Sequence, residues 1–207
     1  FIYSLPQAKK HTIIKGPNNL RVTKQGAIHW IPINTQIGDN EVVVEIVDDE
    51  ESYTYGLEIF VNAPPIISYR PDEIEYINFG KDYIFQLQSF DQNPNQQLYW
   101  ELQRGPLNMV LKDAQIKWQA QEYDINKYTI ELSDSINTNI FNGKVYVNSI
   151  PKILTLPPQH ISLGETFEYK IQVEDKNLFN PLTLKKEAHI TYKFIKKPEK
   201  MSFKDQT

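Results

Sequence analysis

Cysteine is missing from all 207 residues. Its absence excludes disulfide staples, zinc–thiolate sites and thiol nucleophiles together. No apolar run approaches the roughly 20 residues that a bilayer-spanning helix needs, and Phe1-Ile2-Tyr3 does not open like a signal peptide. Asparagine is abundant, yet no Asn-x-Ser/Thr sequon occurs, so N-linked glycans are not expected on this stretch. Nor does any segment combine about ten residues of helical apolar spacing with capping residues. The net charge is −4 and basic runs are short, which recommends neither nucleic acid nor an anionic membrane as a partner.

Catalytic patterns are missing as well. The histidines His11, His29, His160 and His189 are scattered and show no metal-ligand spacing. There is no Gly-x-Ser-x-Gly elbow, phosphate-cradling loop or His-Glu-x-x-His motif, so the segment is not expected to be an enzyme.

What the sequence does contain is a repeat. The stretch Gly105-Pro106-Leu107-Asn108-Met109, running on to Ile116-Lys117-Trp118, is written earlier as Gly16-Pro17-Asn18-Asn19-Leu20, running on to Ile28-His29-Trp30. It begins a third time at Lys197-Pro198-Glu199-Lys200-Met201 and continues to Gln206. Trp30 and Trp118 are 88 residues apart, Asp48 and Asp134 are 86, and Asn62 and Asn148 are 86. Gly80 and Gly164 are 84 apart, as are Asp91 and Asp175. A period this long is a small domain copied whole rather than a solenoid turn. The linkers Asn62-Ala63-Pro64-Pro65 and Asn148-Ser149-Ile150-Pro151 divide the chain into residues 1–63, 64–149 and 150–207. Only the middle copy is complete, so the chain reads as an excerpt from a longer protein.

Within each copy the apolar period is two. Val42, Val44 and Ile46 share one face while Val43, Glu45 and Val47 share the other. Tyr55, Leu57, Ile59 and Val61 alternate with Thr54, Gly56, Glu58 and Phe60. Tyr83, Phe85 and Leu87 repeat the pattern, as do Tyr128, Ile130 and Leu132. In the third copy Phe167, Tyr169, Ile171 and Val173 read as one strand, and Ile190, Tyr192 and Phe194 as another. About seven short strands per copy predict an all-β chain of tandem antiparallel β-sandwiches in a linear array. Ile28 with Trp30 and Ile116 with Trp118 should face the cores. Phe60, Ile84 and Tyr146 are expected on outer faces, and Trp100, with no counterpart in the other copies, is the aromatic best placed for an exposed contact.

Each copy runs in a fixed order. A Gly-x-x-Tyr/Phe strand start (Gly80 to Tyr83, Gly164 to Phe167) is followed by an Asp-containing loop at Asp91 or Asp175, a Gly-Pro turn, Ile-x-Trp, and a terminal strand pair around an Asp turn. That order resembles the cadherin-like, dystroglycan-type (putative Ig) repeats of cell-surface proteins, over nearly the whole chain. The resemblance implies an extracellular or cell-surface location and a non-catalytic role as spacer, fibre or adhesion module. It also implies partners that are neighbouring repeats or other copies of the same protein. Two other readings stay open: an accessory carbohydrate- or protein-recognition module beside an enzyme, and a calcium-stiffened adhesion domain.

The metal candidates are Asp91, Asn93 and Asn95 with Asp134, and Asp175 and Asn177 with Glu174. The linkers lack the Asp-x-Asn-Asp-Asn of calcium-binding relatives, and the loop Asp-x-Asp has become Asp91-Gln92-Asn93 and Asp175-Lys176-Asn177. So few carboxylates suit Ca²⁺ poorly, since it takes six to eight oxygens. No cofactor is therefore expected. The simpler account of these residues is turn chemistry, in which Asp and Asn side chains bond nearby backbone amides. The acidic run Asp48 to Glu51 reads likewise as a solvated hairpin turn.

Overall fold

The computed structural model describes residues 2–49, 51–186 and 190–203. Glu50, His189 and residues 204–206 of the third motif lie outside them.

The strands are β1 (Ile2–Ser4), β2 (Lys10–Lys15), β3 (Arg21–Val22), β4 (Ala27–His29), β5 (Gly38–Val47), β6 (Ser52–Val61), β7 (Ile66–Tyr69), β8 (Ile74–Asn78) and β9 (Asp82–Gln86). They continue with β10 (Gln88–Phe90), β11 (Tyr99–Arg104), β12 (Val110–Lys112), β13 (Gln115–Gln119), β14 (Asp124–Ser133), β15 (Thr138–Asn148), β16 (Lys152–Ile153) and β17 (Val173–Glu174). A single 3₁₀ turn, Asn34–Gln36, is the one helical element among the described residues. The sheet orders are β1-β4-β3, β2-β5-β6, β10-β7, β11-β14-β15-β8, β12-β13-β9 and β16-β17. The chain is all-β, as its period-two patterning requires.

By packing it divides into two compact units. One comprises Phe1–Arg70, Leu87–Glu101 and Ile130–Phe141; the other comprises Pro71–Gln86, Leu102–Thr129 and Asn142–Thr207. In the first unit, sheets β1-β4-β3 and β2-β5-β6 enclose a core of Leu5, Leu20, Ile28, Trp30, Val42, Val44 and Ile46. Burying each such side chain contributes about 1.5–3 kcal/mol relative to exposure. The β5–β6 hairpin pairs in unbroken register from Gly38↔Val61 to Val47↔Ser52. That register puts the odd and even residues of β5 on opposite faces, so only Val42, Val44 and Ile46 are fully buried. Tyr55, Leu57, Ile59 and Val61 pack against this core from β6, and Phe60 is exposed.

In the second unit β13 pairs with β9 and β12, setting Trp118 opposite Tyr83 and Ile116 opposite Phe85. Ile116 and Trp118 are buried, at the same repeat position as Ile28 and Trp30. Strand β8 joins β15 in parallel, Ile74 opposite Lys144 through Asn78 opposite Asn148. Ile84 is exposed.

Two expectations are corrected. Tyr146 is not on an outer face: it is fully buried, between Val145 and Val147 that are buried too. Its hydroxyl donates to the Phe179 carbonyl at 2.5 Å, so the segment after Asn177 covers what alternation alone would leave open. The long strands expected in the third copy are absent among the described residues, where only the two-residue β16 and β17 pair. Phe167 and Tyr192 stay partly exposed and Leu163 fully so. In the second unit the strand equivalent to Phe167–Val173 is held by the Ile-x-Trp strand β13. Among the described residues Phe167 to Ile171 lie in no strand, and Val173 pairs with Ile153.

Candidate functional site

The candidate metal-binding loops meet the chain where β6 and β15 end. At the end of β6, Asp91 Oδ1 accepts the Asn93 N–H at 2.8 Å, closing an Asx turn. The turn aims the buried Asn93 amide at the backbone: Oδ1 accepts the Ala63 N–H at 2.7 Å and Nδ2 donates to the Val61 carbonyl at 2.9 Å. Asn62 donates to Asp134 Oδ2 at 2.7 Å, while Asp134 Oδ1 accepts the N–H groups of Ile136 and Asn137 at 2.7 and 2.6 Å. Gln96 closes the ring, donating to the Asp134 carbonyl at 3.2 Å.

Asp134 is buried, and burial by itself would raise its pKa. The hydrogen bonds from Asn137, Asn62 and Ile136 outweigh that and hold the carboxyl below its ordinary value.

The end of β15 is built alike. Asp175 Oδ1 accepts the Asn177 N–H at 2.9 Å; Asn177 Oδ1 accepts the Ser149 N–H, and Nδ2 donates to the Val147 carbonyl at 2.8 Å. Here a further carboxylate takes part. Asp124 accepts from Asn177 Nδ2 at 3.0 Å and from the N–H groups of Leu178 and Phe179 at 3.0 and 3.1 Å. Lys176 N–H donates to Ser149 Oγ at 3.2 Å. Burial, then the nearby carboxylates of Asp124 and Asp175, push the Tyr146 phenol up to about 12.

The structure thus brings Asp91, Asn93 and Asp134 together at one strand end and Asp175 and Asn177 at the other. Asn95 is exposed at a left-handed φ of 64° and serves the turn, and Glu174 is exposed on β17. Asn62 and Ser149 of the linkers complete these sites, as do Asp124 and Gln96, which escape a reading from motifs. A signal for Asp124 exists: 86 residues earlier stands Gly38, and both occupy the left-handed region, at φ 66° and 96°. Two residues on, Asn126 and Asn40 each donate back to the carbonyl of that residue, at 3.2 and 2.9 Å.

As a metal site the arrangement fits poorly. The oxygens of Asn93, Asp134 and Asp124 are each met by N–H donors, which repel a cation, although Asp91 Oδ2 is buried without a partner. Among the described residues no three His, Asp or Glu side chains converge to hold a metal ion. In the acidic run, Asp48 Oδ1 accepts the Asp49 N–H at 2.9 Å and Asp49 pairs with Lys9, both bonds of an exposed turn.

The tryptophans are packing residues. Trp30 Nε1 donates to Asn19 Oδ1 and Gln36 Oε1 at 3.1 and 3.2 Å, and Trp118 Nε1 donates to the Leu107 carbonyl at 3.1 Å. Trp100 is half-buried. The Tyr83 and Tyr128 hydroxyls lie 3.3 Å apart in the core of the second unit, and burial raises both phenols far above physiological pH. A hollow lined by Tyr76, Asn78, Tyr146, Asn148 and Pro181 turns its tyrosine hydroxyls onto the Phe179 and Pro181 carbonyls. Those bonds tie β8 and β15 to the 179–181 segment and leave the hydroxyls committed.

No family model matches the sequence, and no curated protein matches it. Among solved structures the chain is similar to extracellular domains 3–5 of OTK from Drosophila, with 11% identity and a TM-score of 0.49, over 64% of this chain and 47% of that one. It is similar to an I-band fragment of titin, with 11% identity and a TM-score of 0.44, over 69% and 56%. It is also similar to an endo-fucoidan hydrolase of glycoside hydrolase family 107, with 20% identity and a TM-score of 0.31, over 67% and 23%. The chain spans about half the length of the first two. The sandwich assignment rests on the sheets themselves. Among the described residues no helix is long and apolar enough to cross a membrane.

Proposed function

We propose that the chain is a non-catalytic Ig-like repeat segment of an extracellular or cell-surface protein, serving as a spacer between whatever flanks it. The domains are those the linkers mark, 1–63, 64–149 and 150–207. The observation that carries this reading is the recurrence of one joint. At each strand end, 86 residues apart, an Asp-x-Asn loop grips the backbone of the linker. A loop that is copied along with its domain and closes onto the same linker position each time supports a repeat segment, as a spacer or fibre would be built from.

Small-angle scattering of the 207-residue chain tests this. A compact globule of that length has a radius of gyration of about 17 Å, whereas sandwiches in line, each about 35–45 Å long from strand rise, would give about 25 Å or more. A value near the compact limit would refute the spacer reading.

A further inference from the structure

Asn93 and Asn177 each make a pair of bonds to residues two apart: an N–H from Ala63 or Ser149, and a carbonyl of Val61 or Val147. That is the bonding of a parallel β-bridge to Asn62 or Asn148, with a side-chain amide in place of a neighbouring strand's peptide. Both amides are buried, and each is fixed in aim by its own Asx turn.

A neutral amide presents a donor and an acceptor in one plane, which an ionised carboxylate does not. An aspartate there would set a carboxylate oxygen against the Val61 or Val147 carbonyl. The serine hydroxyl is too short to span both groups. The carboxylates of Asp134 and Asp124 are already turned to N–H donors, and Asp91 Oδ2, buried without a partner, falls far short by itself of the six to eight oxygens that calcium takes.

We infer that the Asp-x-Asn loops are latches that lock the two linkers by amide mimicry of a strand, and that the lock needs no divalent cation. The inference stands on the geometry of the joints, independent of whether the chain is a spacer; scattering tests the one and amide exchange the other.

The experiment is hydrogen exchange by NMR on the full 207-residue chain. In the wild type the Ala63 and Ser149 amides should be protected, equally in millimolar calcium and in EDTA. Asn93→Leu, which removes both the acceptor and the donor, should speed exchange at Ala63 at least about tenfold, the ratio for one lost hydrogen bond, and leave Ser149 unchanged. Asn177→Leu should do the reverse. Protection at Val44, deep in β5 of the first unit, and at Ile116, in β13 of the second, verifies that each variant is folded. Slower exchange at either wild-type joint on adding calcium overturns the latch, as does an Ala63 amide that stays protected in folded Asn93→Leu. The wild-type arm decides the cation question even if a variant does not fold.

Discussion

The hairpins β5–β6 and β14–β15 hold corresponding places in their copies and fill them with opposite choices of side chain. In the first, Val42 stands opposite Leu57, two side chains of middling size. Eighty-six residues on stand Tyr128 and Gly143, a large ring and no side chain at all. A Cβ built on Gly143 would lie 2.1 Å from Tyr128 Cζ, so the glycine is there to admit the ring. The space between the two strands is divided differently in the two copies, one large ring beside a glycine against two aliphatic side chains, the kind of exchange that close-packed cores allow. The tyrosine adds a polar end, met by Tyr83.

Gly143→Ala should therefore have the largest effect on the contrast. The Tyr128 ring is fully buried and has nowhere to move, so a loss of about 3 kcal/mol is expected, read as a lower urea midpoint. Gly56→Ala, in the other hairpin, meets nothing within 4 Å and should be neutral or gain about 0.5 kcal/mol. If the hairpins are alternative solutions to one packing problem, Tyr128→Val with Gly143→Leu should lose less than Tyr128→Val alone. Additive losses would show the volumes are not coupled.

The joints differ in a second way. Asn177 has the added Asp124 acceptor, where the corresponding residue of the first copy is Gly38. Asp124→Gly keeps the left-handed backbone open and removes the carboxylate that three donors face. A loss of about 2 kcal/mol is expected, seen in urea unfolding followed by a probe in the second unit.

The tryptophans sharpen the contrast less. Trp30→Phe strands Asn19 and Gln36, which can still bond each other at 2.7 Å, whereas Trp118→Phe strands one backbone carbonyl. Both should cost about 1–3 kcal/mol from lost bonds and volume, with Trp118→Phe the costlier by thermal melting.

Much of this was legible from residue order. Strands came from alternation, and the inward turn of Trp30 and Trp118 came from their sharing a face with Ile28 and Ile116. The turn role of Asp91 and Asp134 came from side chains that bond nearby amides. What stayed hidden is non-local. Nothing near Tyr146 in sequence says that residues 179–181 cover it, and Asn93 meets Ala63 across 30 positions. Patterning fixes which face a side chain takes, but a bond between distant loops depends on where the sheets carry them. The third copy shows the same limit: Phe167, Tyr169, Ile171 and Val173 all have strand patterning, yet among the described residues only Val173 lies in a strand, opposite Ile153.

Opposite ends of the pH scale should separate the two joints. At the first, Asp134 has its folded-state pKa depressed below the ordinary value, so it stabilises the fold at neutral pH. That contribution is lost as pH falls through the ordinary carboxylate range and down through the folded pKa. At the second, Tyr146 is raised to about 12, so its contribution is complete below the ordinary phenol value of about 10 and is lost as pH rises from there through the folded pKa. Asp134→Asn should therefore flatten the acid limb of a stability–pH curve and leave the alkaline limb. Tyr146→Phe should soften the alkaline limb only in part, since Tyr83 and Tyr128 are raised too and stay in place. Urea midpoints at pH 3, 7 and 10.5 measure both. An acid limb unchanged by Asp134→Asn would mean that the Asn62 and Asn137 bonds survive protonation, and that the first joint owes its hold to the Asn93 amide instead.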